Sequence, residues 1–315
     1  MGRYVAFRSA QGLVVLAIVT LVTFAMQGAL PGGPARAILG PRATPAQVQA
    51  FNQVHGLDKP VPIQYVDYLG NLLRGNLGYS YKLNQSVGAL IAERLPKTLL
   101  LTGTSLVLAL VIGIPLGLYQ GNARNSPFDY SLTGVTFTFY AMPIFFLSLL
   151  LVLVFAIYIP IFPPEAPQGG TVSALLTQPL GLILPIAALT LWTIALFSRY
   201  MRSSTIENLT QDYVRTARSK GLSNAEVLRR HVLRNSSLPI VTLVGLMIPQ
   251  VVAGALIVEA VFNYPGMGLL FWNAATSEDF PVELGVVLVT GVATIVGSLL
   301  ADIAYAALDP RVRYR

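Results

Sequence analysis

The run TLLLTGTSLVLALVIGIPLGLY, Thr98 to Tyr119, is 22 residues long and contains no Asp, Glu, Lys or Arg. As a helix it rises about 33 Å, enough to cross the roughly 30 Å apolar layer of a bilayer. Five further apolar runs of similar length, each with at most one charged residue, complete the set: Leu13 to Leu30, Leu132 to Tyr158, Leu180 to Tyr200, Leu238 to Phe262 and Leu284 to Leu308. The chain of 315 residues is 54% hydrophobic and 11% charged, with a mean hydropathy of +0.63, which lies outside the range of soluble domains. The expected fold is an all-α polytopic membrane protein with six transmembrane helices. Six spans put both termini on one side.

Basic residues indicate which side. Arg3 and Arg8 precede the first run, Arg124 follows the second, eight Lys or Arg fall from Arg199 to Arg234, and Arg311, Arg313 and Arg315 close the chain. The opposite short loops, Ile159 to Gln178 and Asn263 to Glu283, carry none. Positive-inside bias therefore places both termini and the basic block in the cytoplasm. It also accounts for the net charge of +7, so nucleic acid is not an expected partner. The first run exceeds the apolar core of a signal peptide and no convincing cleavage site follows it, so it reads as a retained span. With no cysteine, disulfides and thiolate chemistry are excluded.

Three regions result: 1–30, a cytoplasmic tail and first span; 31–97, a small extracytoplasmic domain; and 98–315, five spans with a cytoplasmic loop at about 200–237. In the second region, Thr44 with Pro45 is expected to start a helix that Gly56 ends, and Val87 to Thr98 reads as a further short helix leading into the second span. Within the spans, Pro115, Pro143, Pro185 and Pro249 each remove a backbone hydrogen bond. Glycines such as Gly113, Gly117, Gly254, Gly291 and Gly297 suit close helix approach, while hinges are the alternative use.

The block DYVRTARSKGLSNAEVLRRHVLRNSSLP, Asp212 to Pro239, is punctuated as two helices meeting at a turn. Thr210 is expected to cap the first, Asp212 sits in its first turn, and Gly221 is placed to end it in the left-handed region. Ser223 and Glu226 form an S-x-x-E capping box for the second, and Arg229, Arg230 and Arg234 load its negative end. Such a block suits a lipid-facing basic loop or a rigid docking element that transmits motion to the spans. A DNA-binding helix–turn–helix shares the outline, but tethers at both ends would pin it to the membrane.

Taken together, QDYVRTARSKGLSNAEVLRRHVLRN (Gln211 to Asn235), LIVEAVFNYPGMGLLFWNAATSEDFP (Leu256 to Pro281), LDPRVRY (Leu308 to Tyr314) and the segment from Pro34 to Ser80 resemble the permease subunits of bacterial ATP-binding-cassette importers of the dipeptide and oligopeptide type. The family's Glu-Ala-Ala pattern with a following Gly falls on Arg215, Thr216, Ala217 and Gly221, so the Glu and first Ala are replaced here. The resemblance implies an ABC importer type I permease core in the bacterial inner membrane. It also implies a heterodimer with a second homologous permease, two cytoplasmic ABC ATPase subunits that bind ATP and Mg, and an extracytoplasmic solute-binding protein. It makes the basic block the coupling helix, with Asp212, Tyr213, Arg215, Thr216, Ala217, Gly221 and Leu222 as the ATPase-coupling residues. Peptides are the implied cargo, with nickel chelates or glutathione as alternatives that similar sequences carry.

No G-x-x-x-x-G-K-[ST], HExxH or GxSxG occurs, so no cofactor bound by this chain and no catalytic residue is expected. The two histidines, His55 and His231, do not form a metal-spaced pair. A secondary transporter would show internal repeats and midplane charges, and neither is evident. Two acids fall in or near spans. Glu259, with Asn263, is expected at the outer mouth of a translocation pathway or as an interfacial residue reaching water; Asp302 is expected to pair with an arginine.

Overall fold

The computed structural model describes residues 2–28, 33–40 and 42–308, with side chains described over 6–25, 35–36, 38–40 and 42–300. Asp302, Arg3 and the arginines of the last five residues lie outside the described side chains. Helix α1 (Gly2–Gly28) is the first membrane-crossing candidate. Helices α2 (Gly33–Leu39), α3 (Pro45–His55) and α4 (Val61–Leu73) follow, then a hairpin of β1 (Tyr79–Ser80) and β2 (Gln85–Ser86), paired antiparallel with Tyr79 opposite Ser86. The start and end of α3 follow from its sequence. Thr44 Oγ1 accepts from Gln47 N, Gln47 Oε1 accepts from Thr44 N, and Gly56 ends the helix at φ +64°.

The short helix expected before the second span is not separate. Ser86 caps α5 (Val87–Asn122), which runs unbroken for 36 residues. Nothing between Glu93 and Thr98 offers a stop: Lys97 reaches back to Glu93 at 2.9 Å, one turn away, and Pro96 is accommodated inside the helix. The domain boundary placed at 97/98 thus falls inside a helix.

The third apolar run is not a straight span either. It divides into α6 (Pro127–Ala141) and α7 (Ile144–Val152, continued by a π-helical turn, Leu153–Tyr158), bent by 102°. Pro143 supplies the reason: it lacks an N–H, and its ring drives Met142 out of the helical region to ψ 126°. After α8 (Val172–Leu176) comes α9 (Leu180–Leu209), which lies along α5 as the central pair of the fold. Gly113, Gly117 and Gly121, four apart on α5, admit the α9 backbone; a Cβ at Gly117 would stand 2.4 Å from Ser198 O and 2.6 Å from Met201 Cβ.

The basic loop forms α10 (Asp212–Ser219), α11 (Asn224–Val227), a π-helical turn (Leu228–Val232) and α12 (Leu233–Ser236). The fifth run is α13 (Leu238–Ala253) and α14 (Leu256–Val261), broken at Gly254, φ +88°. Helix α15 (Met267–Ser277) precedes α16 (Phe280–Leu308), against which α13 and α1 pack. Among the described residues five helices are long and apolar enough to cross a membrane, or six if the bent pair is one span. Among the described residues the fold is all-α apart from the two-residue hairpin strands. Large apolar side chains of α1, α5 and α7 remain exposed, as lipid or protein neighbours within a membrane require.

Candidate functional site

Val214 and Ala217, three residues apart, form the inner face of α10. They are 0% and 5% exposed and join a cluster with Leu118 of α5, Phe197 and Met201 of α9, and Val227, Leu228 and Val232 of the second loop helix. The loop is thereby fastened to the ends of the two central helices. Asn224 Nδ2 donates to Asn122 Oδ1 at 3.1 Å, adding a polar tie to the end of α5. Tyr213 is half-buried and its hydroxyl donates to Asn208 Oδ1 at 2.7 Å, holding α10 to α9.

The outer face carries Asp212 and Arg215, whose side chains are 96% and 76% exposed and 3.5 Å apart, together with exposed Thr216, Arg218 and Lys220. Ala217, expected with them, faces the opposite way, because a residue three after Val214 shares its apolar stripe. Leu222 is half-buried against the same cluster. Thr210 does not cap α10. Its hydroxyl donates to Glu207 O at 2.8 Å and helps close α9, leaving Gln211 at the cap position without a side-chain bond.

Gly221 terminates α10 at φ +83°. Leu222 N donates to Ala217 O and Gly221 N to Arg218 O, the paired bonds of a Schellman ending. A Cβ at Gly221 would meet no atom within 4 Å, so a side chain there is opposed by backbone strain alone, about 1–2 kcal/mol. Ser223 and Glu226 form the reciprocal capping box, and the Ser223 backbone N–H holds the Glu226 carboxyl below its ordinary range.

A second clamp lies beside the loop. Arg202 of α9 grips Asp129 of α6 with both Nε–Oδ1 and Nη2–Oδ2 at 2.7 Å, and Asn125 N donates to Asp129 Oδ2 at 2.9 Å. Asp129 is 1% exposed. Neither residue stands out in the sequence, since 73 positions separate them; the available signal is a lone acid after the cap Ser126 and an arginine pair, Arg199 and Arg202, in the later part of an apolar helix.

Glu259 departs from its expected surroundings. It is 0% exposed and does not reach water. Thr98 Oγ1 donates to its Oε1 at 3.1 Å and Leu269 N to its Oε2 at 2.9 Å, while Met267 N donates to the Thr98 hydroxyl at 2.7 Å. Helix α15 starts at Gly266, which has no side chain to cap it, so Thr98 and Glu259 satisfy its first N–H groups from two other helices. The carboxylate has room only because Gly254, Gly266 and Gly268 surround it; a Cβ at Gly266 would lie 2.5 Å from Oε2. Tyr264, fully buried, donates to Lys97 O at 2.5 Å and ties the same turn to α5. Asn263 stays exposed, with Nδ2 3.3 Å from Glu165 Oε2 and its carbonyl accepting from Gln168 Nε2 at 2.6 Å, so it and Glu259 are not part of one surface.

Between the breaks in the third and fifth runs lies a cavity of about 550 Å³. Thr102, Ser105, Tyr140, Trp192, Thr193 and Gln250 supply its polar groups. Two interrupted helices facing one cavity is how membrane transporters expose polar backbone at bilayer depth.

A multi-pass, all-α chain with such a cavity and a rigid charged loop fastened to its central helices has the build of a transport permease. The family model described as binding-protein-dependent transport system inner membrane component matches residues 113–314, and that for the N-terminal part of such membrane components matches residues 1–102. The chain belongs to this family. It is 37% identical to the oligopeptide transport system permease protein AppB of Bacillus subtilis, covering 100% of both chains, and 35% identical to the oligopeptide transport system permease protein OppB of Haemophilus influenzae, again over 100% of both. The inward-facing MetNI methionine ABC transporter shares the fold at a TM-score of 0.54 and 16% identity, covering 70% of this chain and 96% of that one.

Proposed function

We propose that this chain forms half of the transmembrane pathway for short peptides in an ATP-driven ABC importer of the bacterial inner membrane. Relatives at 35–37% identity over their whole length are named as oligopeptide permeases, which supports the cargo class. The cavity at the two helix breaks serves as this chain's share of the pathway wall, with the exposed Gln250 and Tyr140 offering hydrogen bonds to a peptide backbone. Glu259 acts from behind that wall by holding α15, and Asn263 remains at the exposed mouth.

A second homologous permease completes the pathway, a solute-binding protein delivers cargo, and two cytoplasmic ATPases supply the force. Both termini are cytoplasmic, by the distribution of basic residues. ATP and Mg belong to the ATPases; this chain binds no cofactor and catalyses no reaction. The observation that carries the coupling role is the two-sided build of α10, with Val214 and Ala217 fixed to the membrane core and Asp212, Arg215 and Thr216 presented outward. Motion imposed on such a face passes to α5 and α9 as a rigid-body displacement.

The cysteine-free chain makes the test direct. In the assembled complex, Thr216→Cys is expected to form oxidative cross-links to an ATPase subunit carrying cysteines along its permease-facing groove, while Ala217→Cys, one position on, forms none. Equal cross-linking of both, or of neither, contradicts the assignment of the outer face.

A further inference from the structure

Two arginines stand one turn apart on α9, and their surroundings differ. Arg202 is committed, its Nε and Nη2 both holding the Asp129 carboxylate. Arg199 has another kind of neighbour. It is exposed, no carboxylate pairs with it among the described residues, and its guanidinium carbon sits over the ring of Tyr140, 5.5 Å from the centroid. Helix α9 is long and apolar enough to cross a membrane, and an ionisable group kept on such a helix without a counter-ion marks a functional position.

The place of Arg199 relative to the cavity decides which ligand it meets. Tyr140 belongs to the wall of the cavity of about 550 Å³ between the two helix breaks, and so does Trp192 of α9. Arg199 follows Trp192 by seven residues, so the two lie within about 20° of each other around the helix and about 10.5 Å apart along it. Side chains on a helix lean toward its N-terminus, which for Arg199 is the direction of Trp192 and the cavity. No residue of the cavity wall is charged. Arg199 therefore places a positive charge in line with a neutral cavity, at the end that faces α10. A guanidinium resting on an aromatic ring is held through its face, and its in-plane N–H donors remain for an anion.

We infer that Arg199, resting on Tyr140, is a carboxylate-binding subsite at that end of the cavity and takes the C-terminal carboxylate of a peptide in transit. The inference rests on the reading of the cavity as part of a peptide pathway. A planar fork matches a carboxylate through two parallel hydrogen bonds, whereas Gln250 and the Tyr140 hydroxyl suit the neutral peptide backbone. The permease itself then discriminates between cargo with and without a free carboxylate.

The nucleotide-free complex in nanodiscs, without the solute-binding protein, is titrated with dialanine and with dialanine amide, and binding is read by saturation-transfer NMR. The parent is expected to bind the free acid about tenfold more tightly than the amide. Arg199→Gln is expected to lose this preference, with affinity for the acid down about tenfold and affinity for the amide not weakened. Arg199→Lys keeps the charge but not the fork and is expected to fall between the two. The preference is a ratio within one preparation, so a smaller yield of folded complex does not alter it. Acid and amide bound alike by the parent, no binding of either, or a preference retained in Arg199→Gln would each overturn the subsite. A loss shared equally by both forms would also overturn it, making Arg199 a brace on Tyr140 or a partner of lipid phosphate. Uptake of dipeptides by the parent complex would leave the peptide reading standing in all these cases, and absence of uptake would remove that reading and the subsite with it.

Discussion

Arg202→Ala is expected to destabilise the chain by about 3–5 kcal/mol, because it leaves the Asp129 carboxylate, 1% exposed, without its cation. Asp129→Ala is expected to cost less, about 2–3 kcal/mol, since the Arg202 side chain is 29% exposed and can turn to water or lipid phosphate. The double variant is expected to recover part of the loss, as neither charge is then stranded. A double-mutant cycle on thermal or denaturant unfolding in lipid nanodiscs reads the coupling energy, expected at 1 kcal/mol or more on the scale of about 0.5–3 for contacting pairs. Single variants within roughly 0.5 kcal/mol of the parent would mean that the clamp is dispensable for holding α6 to α9.

The second large effect is expected at Glu259. Glu259→Ala strands the Thr98 hydroxyl and the Leu269 N–H inside the protein, each at about 1–3 kcal/mol, and uncaps α15. Relief from burying a carboxylate offsets part of this, so a net loss of about 3 kcal/mol is expected. Glu259→Gln keeps one acceptor and the shape, and is expected to cost about 1 kcal/mol. The order Glu, Gln, Ala in unfolding midpoint is the diagnostic. An alanine variant as stable as the parent, yet defective in transport, would return Glu259 to the pathway wall and contradict its assignment to holding α15.

The apolar runs and the local punctuation were legible because they depend on neighbours in sequence. The capping boxes at Thr44 and Ser223 and the left-handed endings at Gly56 and Gly221 each need only a few adjacent residues. The bend at Pro143 could have been read from its chemistry, yet a proline in an apolar run is equally compatible with a mild kink, and only packing against α9 and α14 selects a 102° turn. The charged clusters were illegible for a different reason. Glu259 meets Thr98 across 161 positions and Asp129 meets Arg202 across 73, so neither pair has a local signature. Of the glycines around Glu259, Gly266 and Gly268 stand in NYPGMG and Gly254 lies at the end of α13; their use, space for a carboxylate, appears only when α14 folds against them. In the basic loop the sequence showed two helices and a turn, and what it could not show was which face of α10 is fastened down, which places Ala217 inward.

The central claim, that this permease imports short peptides by force passed through α10, is tested most directly by ATP-dependent uptake of a labelled dipeptide into vesicles holding the reconstituted complex, with the parent compared against Arg215→Glu. Arg215 is exposed and outside the core, so assembly and basal ATP hydrolysis are expected to survive. The account predicts uptake by the parent and loss of most of it in the variant at unchanged hydrolysis. Full uptake by Arg215→Glu would contradict coupling through the outer face of α10, and absence of uptake by the parent with any short peptide would contradict the cargo.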